Sequence, residues 1–111
     1  MKNKLKNAFN HEMQLAKTAF ASEDYQQCYS HLERAHILGQ RNYLPHVQSH
    51  YWMYKVGVKT GDVREVLGQV TRMIMSIFSI IKLVPLGNTG RARISPIKPM
   101  PIPADLAQYF E

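Results

Sequence analysis

The chain has 111 residues, the size of one domain and enough to bury a core without covalent staples. Its single cysteine, Cys28, excludes an internal disulfide and a four-cysteine zinc site. The net charge of +6 favours acidic partners, but the basic residues are dispersed and do not alternate with aromatics, which argues against nucleic acid.

The first predicted helix runs from about Asn3 to Ala21. Leu5, Ala8, Phe9, Met13, Ala16, Ala19 and Phe20 recur every three or four residues on one stripe. The second runs from about Tyr25 to Leu38, with Asp24 as N-cap, Gln27 completing a capping box and Gly39 placed as the C-terminal cap. Its stripe is Tyr25, Cys28, Tyr29, Leu32 and Ala35.

The third runs from about Pro45, a residue suited to a first helical turn, to Lys59. Trp52, Met53 and Val56 spread its apolar surface beyond one face. The fourth runs from about Val63 to Lys82, opened by a second capping box of Asp62 and Glu65. Val63, Val66, Leu67, Val70, Met73, Ile74, Ile77, Phe78 and Ile81 form the cleanest stripe in the chain.

Beyond Val84 the prolines at 85, 96, 99, 101 and 103 prevent continuous helix. Gly87-Asn88-Thr89-Gly90 reads as a tight turn. Ile94, Ile97, Met100 and Ile102 are the expected anchors of an extended tail, and Ala104–Phe110 offers a last helical turn or two. The expected fold is all-α: two helical hairpins of four antiparallel helices over residues 1–84, with the Pro-rich tail, 85–111, packed on the same single domain.

The turns Ser22–Tyr25 and Thr60–Val63 lie about 38 residues apart, a helical-hairpin period. Ala19 to Ala35 resembles a tetratricopeptide repeat. The stretches Leu32–Gln40, Gly87–Gly90 and Pro99–Pro103 together resemble an uncharacterised bacterial domain-of-unknown-function family, the DUF3703 type. That resemblance implies a bacterial origin and no activity. The stretch Met73–Leu86 is interrupted by Ser76, Ser79 and Lys82 and falls short of the roughly 20 apolar residues of a membrane span. No signal peptide is visible, and a cytoplasmic location is expected.

Several polar residues fall on apolar faces. Glu12 lies near the centre of the first stripe, and a buried carboxylate demands a partner, a proton or a metal. His36 continues the second stripe. His46 and His50, spaced i, i+4, put two imidazoles on one side of the third helix, where they can share an ion. Glu12, His36, His46 and His50 are therefore the metal-site candidates, with Glu33 as an addition through Glu33-x-x-His36. The donors suit zinc or another divalent first-row metal. The structural alternative is a buried hydrogen-bonded network in which His36 donates to Glu12. His11 and His31 lie off the stripes and should be solvated.

Cys28 sits on an apolar stripe and reads as an inert core thiol. No nucleophile elbow and no catalytic motif is present, so an enzyme is not the expectation. The turn at 87–90 could present N–H groups to an anion through Asn88, Arg91 and Arg93. Two functions compete: a non-enzymatic helical-repeat interaction module for a protein or peptide, and a divalent-metal-binding protein. Two hairpins cover their ends poorly, which favours a homodimer.

Overall fold

The computed structural model describes residues 2–75, 89–92 and 100–110. Its elements are α1 (Asn3–Ala21), α2 (Tyr25–Gly39), α3 (Tyr43–Thr60), α4 (Val63–Met75) and the short α5 (Ala104–Ala107), which continues as a 3-10 turn over Gln108–Phe110. Strands are absent among the described residues, as the sequence pattern requires. α1 packs on α2, α2 on α3 and α3 on α4, so the long helices form two successive hairpins. Residues 76–82 of the fourth predicted helix, and Ile94 and Ile97 of the tail, lie outside the described residues.

Local chemistry places the turns. The Asp24 carboxylate accepts the Gln27 N–H at 3.2 Å, and Asp62 accepts the Glu65 N–H at 3.0 Å. Each satisfies a donor that the first helical turn leaves open. The reciprocal half of each capping box is not made. The Asp24 and Asp62 N–H groups instead donate to the carbonyls of Ala19 and Gly57. Gly61 takes the left-handed conformation at φ 70°, ending α3.

Gly39 has a different role from the cap expected of it. It is the last residue of α2, followed by Gln40 in a right-handed conformation. A Cβ on Gly39 would meet the Pro45 Cβ at 2.8 Å and the Phe9 ring at 3.0 Å. Its bare Cα lets α1 and the first turn of α3 close onto the end of α2. Gly57 does the same between α3 and α4, where a Cβ would lie 3.2 Å from the Val66 side chain.

The core lies among α1, α2 and α3: Phe9, Met13 and Ala16; Cys28, Leu32, Ala35, Ile37 and Leu38; Met53 and Val56. Each large side chain buried there contributes about 1.5–3 kcal/mol. Leu106 of α5 joins this core, with Ile102, Tyr109 and Phe110 packed at its margin, so the end of the chain is pinned to the first hairpin.

α4 corrects the sequence expectation. Val63 and Leu67 of its predicted inner stripe are 67% and 63% exposed, and Val70 and Ile74 also face out. The fully buried residues of α4 are Glu65 and Gln69. Apolar periodicity gives the stripe, but the inward face is set by polar groups that find partners there.

Gly39→Ala should lower stability. Crowding a packed site costs about 1–3 kcal/mol, against a helix-propensity gain of at most about 1 kcal/mol. A urea unfolding midpoint below wild type is the expected reading, and an unchanged midpoint would mean the Pro45 and Phe9 contacts relax freely.

Candidate metal centre

The last turn of α2 carries His36, and the first two turns of α3 carry His46 and His50. A linker of three residues, Gln40–Asn42, reverses the chain between them, and the close approach at Gly39 sets the two helix ends side by side. The three imidazoles are 0%, 3% and 2% exposed.

Their Nε2 atoms form a nearly equilateral triangle. His36 to His46 and His36 to His50 are both 3.2 Å, and His46 to His50 is 3.0 Å. The rings are inclined to one another by 60–72°. A metal–nitrogen bond of about 2.05 Å over those edges subtends angles of about 94–103°, between octahedral and tetrahedral values. The buried His36, His46 and His50 group could therefore hold a metal ion as a three-nitrogen tripod.

The protonation of one ring follows from its neighbours. Gln69 Nε2 donates to Glu65 Oε2 at 2.6 Å and to the Gly90 carbonyl at 2.9 Å. Two acceptors on that side assign it as the amide nitrogen, so Gln69 Oε1 faces His50 Nδ1 at 2.6 Å. His50 Nδ1 must donate, which leaves its Nε2 with a bare lone pair in the triangle. A ligating histidine is oriented in the same way, through its second nitrogen. His46 Nδ1 is buried and has no hydrogen-bond partner among the described residues.

Glu65 anchors this chain of contacts. Its carboxylate is almost fully buried, and besides Gln69 it accepts Arg91 Nε at 2.6 Å and the Ala92 N–H at 3.3 Å. Arg91 also donates to Glu33 Oε1 at 3.0 Å and lies 3.7 Å over the Tyr29 ring. Burial pushes the Arg91 guanidinium down, but the charge and hydrogen bond of Glu65, joined by Glu33, outweigh it and hold its pKa above the ordinary value. Burial raises the Tyr29 phenol to about 12, with the Glu65 charge adding to it. Gly90, at φ 81°, lies flat against His36: a Cβ there would come within 2.7 Å of Nε2.

The predicted ligands divide. His36, His46 and His50 come together, whereas Glu12 and Glu33 do not join them. Glu12 is buried as expected, but it accepts His31 Nδ1 at 2.9 Å and Arg34 Nε at 3.1 Å. His31 is accordingly a partner of Glu12 and not a solvated side chain, and His36 makes its contacts with the other two histidines. Arg34 reaches on to Asp105, tying α1, α2 and α5 together. Glu33 is taken by Arg91. Asn88 and Arg93 lie outside the described residues, and Arg91, the one described member of the expected anion site, already binds two carboxylates.

Sequence reading missed Gln69 and Glu65 as parts of the centre. Each was obscured by a commoner role, a solvated helix position and a capping-box acid. The signal available was their i, i+4 spacing, which puts both on one helix face. Cys28 lies fully buried in the core, where burial, reinforced by Asp24, raises its thiol to about 11 and disfavours the thiolate.

No helix among the described residues is long and apolar enough to cross a membrane. The chain belongs to a family described as protein of unknown function (DUF3703), whose model matches residues 3–110. No curated protein and no solved structure matches it.

Burial lowers His46 to about 4, and burial with the neighbouring His46 lowers His50 to about 3, from the ordinary 6.5. Between those values the unfolded chain binds more protons than the folded one. Stability of the metal-free protein is thus fully present above about pH 6.5 and falls as the pH drops towards 4. Urea unfolding at pH 7.5 and 5 should show a clear loss at the lower pH, and His50→Gln should flatten that slope.

Proposed function

We propose that this protein binds a divalent first-row transition metal through His36, His46 and His50. One observation carries the reading: three buried Nε2 atoms lie 3.0–3.2 Å apart, and the Gln69 contact leaves the His50 lone pair facing the other two. A neutral imidazole has one N–H. With the His50 proton on Nδ1, the other rings can supply at most two N–H groups to three close edges. An ion in the same place accepts all three lone pairs. Imidazole donors suit zinc, copper, nickel and iron, and zinc best matches the pyramidal angles without a demand from d-electrons.

Protein purified without an affinity tag should carry near-stoichiometric metal by elemental analysis, or take it up on titration. His46→Ala with His50→Ala should abolish uptake, while His31→Ala, outside the triangle, should leave it intact. Gln69→Leu should weaken metal affinity about 10–100-fold through loss of ring orientation. A metal-free preparation that stays empty on titration overturns the reading.

A second reading, an interaction module, draws on α4, whose Val63, Leu67, Val70 and Ile74 present an exposed apolar stripe. The partner it fits is a second copy, since an isologous contact sets the same stripe against itself. Sedimentation velocity should show a dimer that Leu67→Glu converts to monomer without loss of metal; a monomer throughout the concentration range removes this reading.

A further inference from the structure

The tripod offers no anionic donor. Its three donors are imidazoles, each of which binds a metal through a neutral nitrogen lone pair. Its oriented second contact is the neutral amide of Gln69 and not a carboxylate. A divalent ion on these donors alone would leave two uncompensated positive charges in a buried site, which is unfavourable. The question is which anion neutralises them.

Six of the eight acidic side chains already have other partners. Of its eight acidic residues, Asp24 and Asp62 cap helices, and Glu12 and Asp105 hold Arg34. Glu33 and Glu65 hold Arg91, and Glu23 is exposed in the α1–α2 turn. Among the described residues no carboxylate or thiol joins the three histidines. The segments outside the description, 76–88 and 93–99, contain no Asp, Glu, His or Cys. Glu111 lies outside the described residues. Glu65, the carboxylate linked to the tripod through Gln69, has its charge answered by Arg91 at 2.6 Å.

We infer that the fourth ligand of the bound ion is a small exogenous monoanion. This rests on the metal-binding reading above. Two sources share the chemistry. Either a water bound to the ion loses a proton to solvent and stays as hydroxide, or an inorganic anion enters from solution. A metal ion lowers the pKa of bound water to about 7 in a tripod of three histidines, so hydroxide is available near neutrality. The three rings are buried, which favours a small anion, and a monoanion halves the buried charge. A carboxylate or thiolate as fourth protein ligand would fill the position and close the site; with none among the described residues, the position is left to an anion from outside.

Cobalt(II) reports both steps through its visible bands. Metal-free full-length protein is loaded with cobalt(II) at pH 7.5 in chloride-free buffer and then titrated with sodium azide. Appearance of bands, lost in His46→Ala/His50→Ala, tests the metal reading. A saturable change of those bands with azide, retained in Glu111→Gln, supports the inference. Calorimetry of loading in buffers of different ionisation enthalpy separates the sources. Release of one proton per ion marks hydroxide, whereas no release together with bands that respond to added chloride marks a solution anion. Bands that form but are unmoved by azide and chloride, with no proton released, overturn the inference and leave the metal reading standing. An azide response that is absent in the wild type and appears only in Glu111→Gln also overturns it, because Glu111 would then fill the fourth position. Failure of cobalt to bind at all removes both.

Discussion

Glu65 is a carboxylate with almost no exposed surface, and much of the second hairpin follows from the need to compensate it. An ionised carboxylate stripped of water is costly unless paired and hydrogen-bonded. Arg91 supplies the charge, and Gln69 and the Ala92 N–H supply further donors. Those partners come from α4 itself and from a segment more than twenty residues further on. One buried charge therefore fixes which face of α4 turns inward and where residues 89–92 cross it. It also fixes the amide of Gln69, and through Gln69 the tautomer of His50.

The first hairpin obeys a simpler rule. Phe9, Met13, Cys28, Leu32 and Leu38 are apolar, periodic and buried, so hydrophobicity alone orients α1 and α2. The helix limits were legible for the same reason, and so was His36, which sits at a stripe position where a polar residue is conspicuous; His46 and His50 were legible from their i, i+4 spacing. α4 was legible as a helix but not in its orientation. Its apolar stripe and its polar face carry opposite instructions, and only the distant Arg91 decides between them. No local pattern contains that information.

Glu12 shows the limit from the other side. Its burial followed from its stripe position, but its partner did not. Position on a helix gives the direction of a side chain to within one face, while the partner depends on the residue across the interface. His31 and Arg34 lie three apart on α2, so both reach the same carboxylate. That pairing removes Glu12 from the histidine group and leaves the tripod without a protein anion among the described residues. The charge of the centre is thus set by a salt bridge on the other side of α2.

The orientation of α4 also bears on what the buried polar face is for. Turning Val63, Leu67, Val70 and Ile74 inward would gain about 1.5–3 kcal/mol for each side chain fully buried. A satisfied polar network of a few hydrogen bonds contributes only about 0.5–1.5 kcal/mol per bond, and a buried ion pair often does no better than an apolar replacement. On folding energetics of the isolated, metal-free chain, the observed orientation is the weaker choice. Two further terms can reverse that balance. An apolar stripe that a second chain covers recovers its burial at the interface, and an ion on three converging nitrogens adds a binding free energy that is itself folding free energy. Both terms act only while α4 keeps its polar face towards α3: rotate the helix, and His50 loses Gln69 at the same moment that the stripe leaves the surface. On the proposed reading, metal binding and the outward stripe depend on a single helix orientation, so a change that favours one favours the other.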